Sequence, residues 1–146
     1  MTHTRGLWPE AGVSPNELDL EQHGTLYPDA FPLDDLNMLV SSLIFDVEDK
    51  ERRGEIDHAA FLALAGVEAA IARKETPPKS FAVGAAQRGS VRAALLAGDE
   101  ERALGYVEEF GLYESTVNEL REQVEERLHQ AEFNAIGRDQ IDAKPS

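Results

Sequence analysis

The chain has no cysteine, which excludes disulfides, thiolate nucleophiles and cysteine-ligated zinc. Aromatic residues are scarce, with one Trp, three Tyr and six Phe among 146 residues. A core must therefore be built from Leu, Val, Ile and Ala, which suits helix packing better than a β-sandwich. No apolar run approaches membrane-spanning length. The stretch from Met1 to Glu10 lacks the apolar segment of a secretory leader, so a cytoplasmic location is expected. Basic residues are half as numerous as acidic ones, 14 against 28, for a formal charge of −14. The excess is spread along the chain and is not gathered into a tail. Such a field repels nucleic acid and anionic membrane, and it attracts basic partners in a salt-dependent way.

What is present divides into three parts. Residues 1–32 contain Pro9, Pro15, Pro28 and Pro32 with Gly6, Gly12 and Gly24, and show no sustained apolar period. They read as an extended N-terminal arm carrying apolar beads, among them Trp8, Leu26, Tyr27 and Phe31. Residues 33–133 read as a helical domain, and 134–146 as a polar C-terminal tail. No strand alternation occurs, so the expected fold is all-α: a compact bundle of about four to five helices with the arm attached.

The helices follow from spacing and caps. Leu36, Leu39, Val40, Leu43, Ile44 and Val47 form one apolar stripe, predicting a helix over 34–53 that stops at Gly54. Asp57 is the expected N-cap of a second helix reaching Lys74. Its middle is apolar nearly all round, as befits a central, buried helix. Residues 75–89, rich in Pro, Gly and Ala, read as a linker. Short helices are expected over 91–97 and 100–110, closed by Gly98 and Gly111. Thr116 and Glu119 form a capping box for a final helix whose inward face is Val117, Leu120, Val124, Leu128 and Ala131. Arg121 and Glu125 are placed to pair on its surface.

Few motifs carry chemistry. The segment from Phe45 to Phe61 resembles an EF-hand, the helix–loop–helix calcium module, over about thirty residues. Gly54 matches its turn position, Ile56 its apolar position, and Asp49, Glu51 and Asp57 its oxygen ligands. The segment departs from the pattern at two ligand positions, occupied by Arg53 and Ala60, so calcium binding is not expected. Two Glu-x-x-His triplets, Glu55 with His58 and Glu126 with His129, echo di-iron carboxylate sites, but the first straddles a predicted turn. Gly84 to Gly89 lacks the Lys-Ser/Thr ending of a phosphate loop. Leu95 to Leu104 has the look of a single tetratricopeptide-type helix turn, too little for a repeat array. No nucleophile elbow is present.

These observations predict a non-enzymatic interaction, assembly or accessory protein with no catalytic residues, metal or cofactor. Its expected partner is another protein with a basic or apolar groove, with self-association compatible and no direct contact to nucleic acid or membrane. The candidate contact residues are Trp8, Leu26, Tyr27 and Phe31 on the arm, and Glu119, Glu122, Glu125 and Glu126 on the terminal helix. The alternative is a phage-type acidic inhibitor that mimics nucleic-acid charge and blocks a basic groove; it requires carboxylates concentrated on one face.

Overall fold

The computed structural model describes residues 20–75 and 81–142, and among them there is no strand. A short helix α1 (Leu20–His23) and a 3-10 turn (Pro28–Ala30) lead into α2 (Leu33–Arg52), α3 (His58–Lys74), α4 (Phe81–Leu96), α5 (Glu100–Phe110) and α6 (Glu114–Asp142). The expected all-α bundle is what the chain forms.

α3 lies at the centre. One face, with Phe61, Leu64, Ala65 and Ala69, meets Val47 of α2, Val91 and Leu96 of α4, Tyr106 of α5 and Leu120 and Val124 of α6. The other, with Val67, Ala70 and Ile71, meets Phe31, Leu36 and Ala86. Alanines along α3 and α4 let the two backbones approach closely, making this the most extensive helix pair in the fold.

Three helices end alike. Gly54, Gly98 and Gly111 all have positive φ, at 85°, 77° and 63°. After α2, Gly54 N–H donates to Glu51 O and Glu55 N–H to Lys50 O, the two bonds of a Schellman stop. Asp57 caps α3 by accepting from Ala60 N at 3.0 Å, and Asp99 caps α5 by accepting from Arg102 N at 3.0 Å.

Four boundaries differ from those expected. Residues 20–32 are not free of the domain: Phe31 is buried, and Asp29 accepts from Arg73 of α3, which also grips Glu109 of α5. Residues 81–89 are not linker but the first half of α4. Gly84 and Gly89 weaken helix propensity by about 1 kcal/mol each, but Val83, Ala86 and Ser90 form a buried stripe that offsets the loss. α6 begins at Glu114, so Thr116 lies inside its first turn and does not cap it. It runs to Asp142, beyond the expected start of a tail at 134. Arg121 reaches across to Glu100 of α5 rather than along its own helix to Glu125. Residues 1–19, the Pro77-Pro78 step and 143–146 lie outside the described residues.

Candidate functional site

The expected contact residues fall into two groups. Trp8 lies outside the described residues. Leu26 is exposed, Tyr27 is half-buried with its ring stacked on His23, and Phe31 is packed into the core. These three do not form one surface, and Phe31 is unavailable to a partner because it fills the space between Leu36 and Ile71. By contrast, Glu119, Glu122, Glu125 and Glu126 are all exposed on α6.

α6 buries Val117, Leu120, Val124 and Ala131, and its opposite side faces solvent. At 3.6 residues per turn the four glutamates fan across about 120° of that side. The same sector carries two large apolar side chains, Phe133 (70% exposed) and Ile136 (56% exposed), one turn apart. From Glu122 to Ile136 the surface extends roughly 21 Å along the axis. The reading of 134–146 as tail hides Ile136 and leaves Phe133 as the last residue of the expected domain. The available signal was their spacing of three, which continues a helical period. Met38 and Phe45, two turns apart on the outer side of α2, are also exposed.

The EF-hand-like segment has a different occupation. Asp49 pairs with Arg52 and Arg53, and Asp57 with Lys50 while it caps α3. The carboxylate of Glu51 is held by the guanidinium of Arg127. Each oxygen group that would face an ion therefore faces a cation or a helix terminus instead. At the ends of the segment, Phe61 is core while Phe45 is exposed. Glu126 and His129 both point to solvent, and among the described residues no three His, Asp or Glu side chains converge.

The fold also creates a cleft of about 210 Å³ that has no counterpart in any sequence motif. α2 contributes Ile44, Val47 and Glu48, and α3 contributes Phe61, Leu64 and Glu68. α4 contributes Gly89, Arg92, Ala93 and Leu96, and α6 adds Arg127. Arg127 donates Nε to Glu51 at 3.1 Å and lies over the Phe61 ring, 5.5 Å from its centroid. Glu68 rests against the backbone of Gly89 so closely that any β-carbon there would collide with its carboxylate. Among the described residues it forms no ion pair, and burial pushes its pKa up to about 7 against the weaker opposing pull of Arg92. Arg92 donates Nε to Gln123 Oε1 at 3.1 Å. Burial lowers its pKa, Glu68 opposes that, and the like charges of Arg127 and Arg88 add to it.

Glu68 was legible in one respect: it is the only charged residue between His58 and Arg73, in a stretch otherwise apolar on every side. Among the described residues no helix is long and apolar enough to cross a membrane. Comparison with protein-family models, curated proteins and solved structures gave no match to this chain.

Proposed function

We propose that the protein is a non-enzymatic interaction or assembly protein that docks through the outer side of α6 onto a partner protein offering an apolar pocket bordered by basic residues. The single observation carrying this reading is the pairing of Phe133 and Ile136, both largely exposed, with the glutamates of the preceding turns on one side of one helix. Large apolar side chains at helical spacing are the usual anchors of a helix laid in a groove. The adjoining carboxylates favour a basic rim and speed encounter with it, and the overall charge of −14 acts in the same direction. Charge mimicry of nucleic acid has less support, because acidic residues occur on α2 and α5 as well as on α6.

The test is a photo-crosslinker placed at position 133 in the full chain, used to capture the partner in the native host. The adduct should be lost when Ile136→Asp is added, and reduced several-fold when Glu122, Glu125 and Glu126 are changed to Lys. An adduct insensitive to both changes refutes docking through α6. Sedimentation of the purified protein distinguishes a second copy of the chain from a different partner.

A further inference from the structure

We propose that the cleft among α2, α3, α4 and α6 binds a small organic carboxylate with a compact apolar body, its anionic head on Arg92 and its body against Ile44, Val47 and Leu64. This site is independent of docking by α6.

The local charge stands against that of the chain. In a protein with twice as many acids as bases, the positive charges of Arg88 and Arg127 both reach Arg92. Arg127 is neutralised by Glu51. Arg92 is not: its Nε is held by the neutral amide oxygen of Gln123, and no carboxylate among the described residues pairs with it directly. A half-buried guanidinium fixed at one end by a neutral group, with the like charge of Arg88 acting on it, favours an anion at its other end, where two N–H groups can hold a carboxylate side by side.

Glu68 also lines the cleft, against Gly89 and beyond ion-pair distance from Arg92. In its protonated form it donates a hydrogen bond to the second oxygen of the bound carboxylate and removes the repulsion between the two acids. Gly89 is what leaves room for it there. The other charged groups lining the cleft are Glu48 from α2, Arg92 from α4 and Arg127 from α6, and the charge of Arg88 reaches Arg92 from outside the lining. Apolar side chains of Ile44, Val47, Leu64 and Leu96 share the walls with these charged groups, and the volume is about 210 Å³. An apolar cavity of about 150 Å³ already accommodates a benzene ring, so a single-ring acid is within the size limit.

Binding should therefore carry a proton with it. With Glu68 near 7, its protonated fraction falls about tenfold between pH 6 and pH 8, and apparent affinity falls by the same factor. The probe is benzoate, titrated into the full chain and followed by amide NMR at both pH values. Saturable shifts centred on Val47, Gly89 and Ala93 are expected, with the dissociation constant about tenfold smaller at pH 6. Arg92→Gln should weaken binding at least tenfold, and Glu68→Gln should bind with one affinity at both pH values. Non-saturating shifts, shifts centred outside the cleft, or benzamide binding as tightly as benzoate would each overturn the proposal. So would unchanged binding to an Arg92→Gln variant that keeps the wild-type spectrum. If Arg92→Gln does not fold, the pH response of Glu68→Gln decides alone: an unaltered tenfold difference refutes the site.

Discussion

Gly54, in the turn that leaves α2, lies directly against Ala135 of α6: a β-carbon on the glycine would fall 2.6 Å from the Ala135 Cβ and nearer still to its backbone. The turn has φ of 85° and the neighbouring helix cannot recede without giving up the bond from Asn134 Nδ2 to Glu51 O, 2.9 Å long. Gly54→Ala therefore meets both left-handed strain, about 1–2 kcal/mol, and overpacking, about 1–3 kcal/mol. Urea unfolding should show a loss of about 2–5 kcal/mol. Gly98→Ala and Gly111→Ala, at similar φ with open space around them, should lose only the strain. Equal losses at all three sites would show that the contact with α6 contributes nothing.

Phe31 and Phe133 give opposite expectations. Phe31 is 6% exposed and packs with Leu36 and Ile71, so Phe31→Ala should destabilise by about 3–5 kcal/mol. Phe133 is 70% exposed, and Phe133→Ala should stay within about 0.5 kcal/mol. Thermal or chemical unfolding checks both. A neutral Phe31→Ala would mean that residues 20–32 are not part of the cooperative unit.

Glu68 makes stability depend on pH with an unusual sign. Its pKa is raised from an ordinary 4.5 to about 7 in the folded chain. Between these values the native state holds a proton that the unfolded state has released, so stability falls as pH rises through that window. The group's contribution is complete below about 4.5 and gone above about 7, a span on the order of 3 kcal/mol. Glu68→Gln keeps the shape, removes the ionisation, and should flatten this segment of the stability profile. A wild-type profile without such a decline, or an identical decline in the variant, would refute the assignment.

Legibility in the sequence followed a physical divide. α2 and α3 were readable because the stripe from Leu36 to Val47 and the cap at Asp57 are local signals, complete within one helix. The first half of α4 was hidden because Gly84 and Gly89 are read locally as breakers, whereas the buried face they share with Val83 and Ala86 exists only once α3 is alongside. The partner of Arg121 was misread for the same reason: Glu100 is distant in sequence and adjacent in space. The outward glutamates of α6 were legible from period alone. The cleft was not, since its charged lining comes from four helices and only Glu68, isolated in an apolar stretch, left a trace.

The grip of Arg127 on Glu51 joins residues 76 positions apart. During synthesis, α2, α3 and α4 leave the ribosome with one wall of their shared cleft still missing, and Phe61 and Val47 remain without the covering that α6 supplies. A chain that ends before Arg127 lacks that wall and the ion pair with Glu51. The cleft is complete only when the longest described helix has been delivered.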